Sequence, residues 1–321
     1  MRSKRILIFS IILLLLATMV FASGGQEGAG AEKQITLVMV PKGVHPYYEP
    51  CWQGFQDAAK KYGVNADFQA PNKFDVAIQA RVIEDLIAQG VDGITISAND
   101  DKGLINVVKE AMDDGIKVIT FDAPAPSTEA LTYIGTDNET AGYTAGEQMA
   151  ELMGGKGKVA ILQGGLGATN LNLRSQGFQQ ALKEKAPGIE LVTIEDTKGD
   201  FATAVNVTEA LLETYPDLDA IFGVSAYGAP AAATVVKEQG RSGDLVIGGF
   251  DDLKDTLEFI RTGVVDFTLA QRTYAMGWLS VEKLLDAING KSITEKIDTG
   301  VLIVNNDNVD TYMEDMKAQF Q

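Results

Sequence analysis

The sequence has 321 residues, 45% of them hydrophobic, with one cysteine and one histidine. That length allows two cores rather than one. The single cysteine rules out an intrachain disulfide, and the single histidine rules out a His-based zinc site or a Ser-His-Asp triad elsewhere in the chain. A formal net charge of −17, with the basic residues dispersed, repels phosphate backbones and disfavours nucleic acid as a partner.

The first predicted element is a leader. Arg2, Lys4 and Arg5 precede an apolar run from Ile6 to Phe21, and Val20-Phe21-Ala22 supplies a small-x-small site. This pattern predicts a signal peptide over residues 1–22, removed on export. An uncleaved membrane anchor is the alternative, opposed by a run short of the ~20 residues a span needs. Residues 23–33 are Gly-rich without apolar pattern and predict a flexible linker.

From Ile35 onward short apolar runs alternate with amphipathic segments. The runs at 35–40, 93–97, 118–121, 158–163, 220–224, 246–250 and 267–271 predict buried parallel strands. Helical stripes lie between them. Gln79, Val82, Ile83, Leu86 and Ile87 form one, ended by Gly90; Leu104, Val107, Val108 and Ala111 form another, closed by Gly115. Residues 171–185, 203–215 and 230–239 predict three more. Asn138 is expected just before a helix, and Gly154-Gly155-Lys156-Gly157 to separate a helix from the next strand. Cys51, beside Trp52, reads as a buried small hydrophobe rather than a nucleophile. The repeated β-α-β order predicts an α/β fold of parallel sheets covered on both faces. About ten such units exceed one ordinary sheet, so two doubly wound lobes are expected.

In such sheets ligands bind beyond the carboxyl ends of the strands. That rule selects Lys42, His45, Tyr47 and Tyr48; Asn99 and Asp100; Asp122; Gly164 and Gly165; Ser225 and Tyr227; Asp251; and Gln271 with Arg272. No phosphate-cradling glycine loop is among them. The set is rich in neutral hydrogen-bonding groups, acids and aromatics, which suits a sugar. Sugar hydroxyls both donate and accept, and the C–H faces of the ring lie against flat aromatics. Asp122, Asp251, Arg174, Gln271 and the Tyr47-Tyr48 pair hold that inventory, the charged members making the stronger bonds. Plainer readings stand beside it. Asp122 could cap the turn at Pro124, Arg174 could pair at the surface, and His45 could be structural. Asp122 and Asp251 could also flank a glycosidic bond, but no base, metal cluster or nucleophile motif accompanies them. No catalytic residue, metal or cofactor is therefore expected.

Several spread motifs occur in a common order: His45-Pro46-Tyr47-Tyr48, Val118-Ile119-Thr120-Phe121-Asp122, Tyr133-Ile134-Gly135-Thr136-Asp137-Asn138, Arg174-Ser175-Gln176-Gly177-Phe178, Tyr215-Pro216-Asp217-Leu218-Asp219-Ala220-Ile221-Phe222, Gly249-Phe250-Asp251 and Leu269-Ala270-Gln271. With them the chain from Ile35 to about Val304 resembles the ribose/galactose class of periplasmic sugar-binding proteins, the receptors of bacterial ABC importers. The resemblance implies two lobes joined by three crossovers, with the ligand cleft between them. The first lobe would hold residues 34–137 plus 272–302, and the second 138–271 plus 303–321. The hinge would lie at Asp137, Asn138, Gln271 and Arg272, with a third crossover near Ile303-Val304.

By the same resemblance Asp122, Arg174, Asp251 and Gln271 match hydroxyl-binding positions. His45, Tyr47 and Tyr48 stand where ribose receptors read Asn-Pro-Phe-Phe, and Phe201 matches a ring contact from the second lobe. Ala123 stands where ribose receptors carry Arg, and Ser225 where they carry Asn. The resemblance therefore favours glucose- or xylose-binding members over ribose receptors. An autoinducer-2 receptor, sharing Val40-Pro41-Lys42 and Asp122, or a polyol receptor, is the alternative. The implied protein is a periplasmic monomer without a cofactor. Its implied partners are a small neutral sugar and an ABC permease, with a chemoreceptor as a further partner the class allows.

Overall fold

The computed structural model describes residues 34–319. The expected signal peptide and linker, residues 1–33, lie outside the described residues. In chain order the strands are β1 (Thr36–Val40), β2 (Asn65–Phe68), β3 (Gly93–Ile96), β4 (Lys117–Phe121), β5 (Tyr133–Gly135), β6 (Lys156–Gln163), β7 (Gly188–Asp196), β8 (Ala220–Gly223), β9 (Val246–Phe250), β10 (Phe267–Gln271), β11 (Lys296–Asp298) and β12 (Val301–Asn305). The helices are α1 (Tyr48–Tyr62), α2 (Val76–Gln89), α3 (Ile105–Asp113), α4 (Asn138–Leu152), α5 (Thr169–Lys185), α6 (Phe201–Thr214), α7 (Gly228–Glu238), α8 (Lys254–Arg261), α9 (Thr273–Ile288) and α10 (Val309–Gln319).

These elements build two six-stranded sheets, ordered β11-β5-β4-β3-β1-β2 and β12-β10-β9-β8-β6-β7. The first is parallel throughout. The second is parallel except for β12, which runs antiparallel to β10 along its whole length, from Gln271↔Val301 to Phe267↔Asn305. The chain therefore passes between the sheets after β5, after β10 and after β11. Ile303-Val304, the residues expected at the third crossover, lie within β12.

All seven apolar runs are strands, and each sits inside a sheet. Five strands were not expected from such runs, although one of them, β12, carries the apolar stretch Val301-Leu302-Ile303-Val304. Four of them, β2, β7, β11 and β12, are the outermost strands of the two sheets. An edge strand has a solvent-facing side, so its sequence does not need continuous apolar residues. The fifth, β5, has only three residues, too few to show a period. Asp137, rather than Asn138, is the cap of α4: its carboxylate accepts from Thr140 N at 3.3 Å. Asn138 begins the helix with its side chain buried, turned toward Arg174. Of the Gly154–157 break, Lys156 and Gly157 already belong to β6.

Apolar packing follows the sheets. Val38, Val40, Ile94 and Ile96 meet Ile83, Leu86, Val107 and Val108 on one face of the first sheet. The second sheet has a core on each face, one around Leu162, Ile221 and Ile247, the other around Phe178, Phe222 and Phe250. In each lobe the helix after the first strand packs backbone to backbone on the helix that follows a crossover. A Cβ at Gly277 of α9 would collide with the Cys51 carbonyl of α1, and one at Gly142 of α4 with the Arg174 carbonyl of α5. These contacts set the height of the helix turns that follow β1 and β6. The two tryptophans sit elsewhere: Trp52 packs with Phe55 and Phe68, and Trp278 of α9 lies under the Lys61 ammonium, 4.8 Å from its ring.

Candidate functional site

The carboxyl ends of both sheets face one cavity of about 520 Å³. Lys42, His45, Tyr47, Tyr48, Asn99 and Asp122 line it from the first sheet, and Arg174, Ser225, Tyr227 and Asp251 from the second. Phe201 and Gln271 are not among the lining residues. Phe201 opens α6 and meets the Tyr227 ring edge-on at 5.7 Å. Gln271 ends β10, donates to Asp251 Oδ1 at 2.7 Å and accepts from Thr136 Oγ1 at 2.8 Å. Of the expected hinge residues, Asp137 caps α4 and also accepts from Lys296 Nζ at 2.7 Å, while Arg272 precedes α9 and is exposed.

Backbone strain marks the same place. Among the described residues the non-glycine positions with positive φ are Asp122 (56°), Lys198 (55°) and Asp251 (70°), and all three line the cavity. L-residues enter this region at a cost of about 1–3 kcal/mol, and such residues cluster at functional sites. Asp122 and Asp251 are equivalent in placement, each directly following a central strand, β4 and β9, of its own sheet.

Asp122 is densely held. Tyr47 OH donates to Oδ1 at 2.9 Å, Ser97 Oγ to Oδ2 at 2.6 Å, and Tyr48 OH to Oδ2 at 3.2 Å. Lys42 Nζ stands 3.9 Å from Oδ2 and donates to Asn170 Oδ1 at 2.9 Å. Lys42 follows a strand of the first sheet and Asn170 a strand of the second, so this bond crosses the cleft. The His45 and Tyr227 rings cross it too, at 4.3 Å. Gln79, fully buried, ties two loops beneath the site: it donates to the Pro41 and Ser97 carbonyls and accepts from Asn99 N.

Arg174 is only 1% exposed. Its Nε donates to Asn138 Oδ1 at 2.8 Å, its Nη1 donates to the Val224 carbonyl at 3.1 Å, and the guanidinium lies 3.9 Å from the Phe250 ring centre. Its Nη2 and the nearby Ser225 Oγ are buried without a hydrogen-bond partner. A buried polar atom left unpaired costs roughly 1–3 kcal/mol, so such atoms beside a cavity point to a ligand.

Burial sets the protonation states. It pushes the Asp251 carboxyl up to about 7, with the Asp122 charge adding to the shift and Arg174 and Gln271 opposing it. Burial lowers His45 to about 4, helped by the Lys42 charge. His45 Nδ1 accepts from Tyr47 N at 3.1 Å, which leaves the proton of the neutral ring on Nε2. Burial also lowers Lys42, with Arg174 adding and the two acids opposing. The Tyr47 and Tyr48 hydroxyls are held well above their ordinary range by burial and by Asp122, so they remain donors.

Sequence reasoning missed Ser97, Gln79, Thr136, Phe74 and Asn170. Ser97 is the last residue of an apolar run, where the strand-end rule could have found it. Asn170 lies in the first turn of α5, past the loop to which that rule was applied. Among the described residues no cluster of three or more His, Cys, Asp or Glu could hold a metal ion. The arrangement presents fixed donors, a buried acid and aromatic faces to a small polar molecule.

The chain is similar to several known proteins. The model of the periplasmic binding protein domain matches residues 35–292. The ribose import binding protein of Bacillus subtilis (strain 168) is 30% identical over 273 residues, 84% of this chain and 87% of that protein. An ABC transporter solute-binding protein from Burkholderia graminis, solved in complex with D-arabinose, is 40% identical with a TM-score of 0.84, covering 87% of this chain and 97% of that one. A glucose-galactose binding protein from Geobacillus stearothermophilus is 30% identical with a TM-score of 0.83, covering 86% of this chain and 99% of that one.

Proposed function

The chain belongs to the periplasmic binding protein domain family, and from that membership we propose that it is an extracytoplasmic receptor that captures a monosaccharide between its lobes and delivers it to an ABC transporter permease. Its relatives are substrate-binding proteins of transporters, and it is a binding protein rather than an enzyme. One observation carries the sugar reading: Arg174 Nη2 and Ser225 Oγ are buried without partners in a cavity that Asp251 also lines. A hydroxyl can accept from the first two and donate to the third, and adjacent ring hydroxyls can serve all three together.

A glucose- or xylose-like sugar is favoured over ribose. Ala123 is fully buried where a ribose receptor would place an arginine, and Ser225 offers one hydroxyl where an amide would offer two groups. Arg174, Ser225 and Asp251 act from the second lobe; His45, Lys42 and the Tyr47-Tyr48 pair act from the first. Phe201 and Gln271 support Tyr227 and Asp251 from behind. Ligand that touches both lobes stabilises their closed arrangement, and the closed surface is what the permease reads. The basic, apolar and small-residue order of the first 22 residues supports export. A second reading, an autoinducer-2 or polyol receptor acting as a monomer in the same place, draws on Lys42 in the cavity wall.

A thermal-shift screen of pentoses, hexoses, polyols and autoinducer-2 tests this. Ligand at about 100 times Kd adds about 2.7 kcal/mol of stability and raises the midpoint by several degrees. The expected hit is a pyranose such as D-xylose or D-glucose. A shift with autoinducer-2 and with no sugar selects the second reading, and slow consumption of any sugar overturns the receptor assignment.

A further inference from the structure

We infer that Asn138 is a positioning residue for Arg174, and that Tyr133, on the other side of the first crossover, holds Asn138 in place, so that the aim of the guanidinium depends on the geometry of that crossover. The inference rests on the sugar reading for the identity of the ligand. Neither Asn138 nor Tyr133 lines the cavity.

The bonds form one chain of buried groups. Arg174 Nε donates to Asn138 Oδ1 at 2.8 Å. The Asn138 amide nitrogen has two protons and two acceptors, Tyr133 OH and the Thr136 carbonyl, each at 3.0 Å. Tyr133 OH has the Asp122 and Thr136 carbonyls at 2.9 Å as acceptors for its own proton. Burial, with the Asp122 charge adding, holds that hydroxyl well above its ordinary range, so it keeps the proton. Arg174, Asn138 and Tyr133 are all buried, so water does not replace a lost partner. These bonds leave the Asn138 amide one orientation. Turned over, it would set N–H against N–H at Arg174 and oxygen against oxygen at Thr136.

The chain of bonds crosses between the sheets. Tyr133 opens β5, the last strand before the chain leaves the first sheet, and Asn138 opens α4 beyond the crossover. The other crossovers are bonded to the same segment. Thr299 N, just after β11, donates to the Gly135 carbonyl, and Thr136 Oγ1 donates at 2.8 Å to Gln271, the last residue of β10. The Val224 carbonyl and the Phe250 ring hold the guanidinium from within the second sheet; Asn138 ties it to the crossover. A guanidinium is a rigid planar fork. Fixing its Nε therefore fixes the direction of Nη2, the nitrogen that has no protein partner. Tyr133 thus acts on the ligand without touching it, through Asn138 and then Arg174.

Two measurements on the full mature chain test this. The first uses no ligand. The Arg174 Nε–H signal is identified in a proton–nitrogen correlation spectrum by its loss in Arg174→Lys. In the wild type it should exchange slowly with water. In Tyr133→Phe, which keeps the ring and removes the hydroxyl, its exchange should be at least tenfold faster. A signal absent from the wild-type spectrum, or unchanged in Tyr133→Phe, overturns the inference. The second is calorimetric titration with D-xylose, D-glucose and D-arabinose of the wild type, Tyr133→Phe, Asn138→Ala and the double variant. Tyr143→Phe is the control, since that hydroxyl joins α4 to Glu184 of α5 away from the cavity lining. Tyr133→Phe should weaken binding at least fivefold in the wild type but less than twofold in Asn138→Ala, and the control less than twofold. Equal losses in both backgrounds, or a lowered urea midpoint with unchanged affinity, overturn the inference. Should none of the sugars bind the wild type, the sugar reading fails, while the exchange measurement still decides whether Tyr133 positions Arg174.

Discussion

Two buried groups at this site titrate in the same pH range with opposite effects. Asp251 rises from 3.8 unfolded to about 7 folded. The folded chain then holds this proton more tightly, so its contribution to stability is largest below about pH 4 and falls as pH rises through 7. His45 falls from 6.5 to about 4. The unfolded chain holds that proton more tightly, so its contribution is present above 6.5 and is lost as pH falls toward 4. The two slopes offset. We expect Asp251→Asn to unmask a stability that increases with pH between 4 and 6.5, and His45→Gln to unmask one that decreases between 4 and 7. Urea midpoints across that range check both; a variant profile parallel to the wild type excludes the residue concerned. At this scale the sequence was informative about position and weak about partnership. Asp122, Asp251 and the Tyr47-Tyr48 pair follow from strand ends. That three hydroxyls converge on one of the acids, and an amide on the other, depends on the relative rotation of four segments far apart in the chain, which no periodicity records.

The helix pairs α1–α9 and α4–α5 explain how segments so distant are held in register. Gly277 and Gly142 let backbones touch where any side chain would push the helices apart. Arg174 is itself the contact point of Gly142, so the spacing of α4 and α5 is also the position of the guanidinium. Gly142→Ala is expected to destabilise the chain by about 1–3 kcal/mol, the cost of overpacking, and to weaken sugar binding beyond any effect of Gly63→Ala, a helix-end glycine far from the cleft lining. Denaturant unfolding and titration of the folded fraction separate the two effects; unaltered affinity in a destabilised Gly142→Ala protein would detach Arg174 from this packing. Legibility at the element scale tracks burial. Central strands and amphipathic helices announce themselves because they bury apolar residues in a regular pattern. The edge strands β2, β7 and β11 do not, because one side of each faces water, whereas β12 carries the apolar run at 301–304 and reads from the sequence only as a crossover.

At the scale of the whole molecule, protein groups from the two lobes meet at the cleft. Lys42 Nζ donates to Asn170, and the His45 and Tyr227 rings meet over the cavity. Asn170→Ala removes the acceptor for a buried ammonium and should shift the ligand-free chain toward a more open arrangement. Small-angle scattering should then show a larger radius of gyration than the wild type, closing again on addition of saturating ligand; identical ligand-free curves would deny the bond a role in closure. The tryptophans have a consequence for how the protein can be observed. Trp52 and Trp278 are the chain's only two, and neither lines the cavity. Their emission reports the outer packing of α1 and α9, so selective tryptophan excitation should stay nearly silent through a ligand titration. The optical signal of occupancy belongs instead to tyrosine absorption from Tyr47, Tyr48 and Tyr227. Phe74, 38% exposed at the cavity wall, is where a Phe→Trp replacement would give this receptor a fluorescent readout it otherwise lacks.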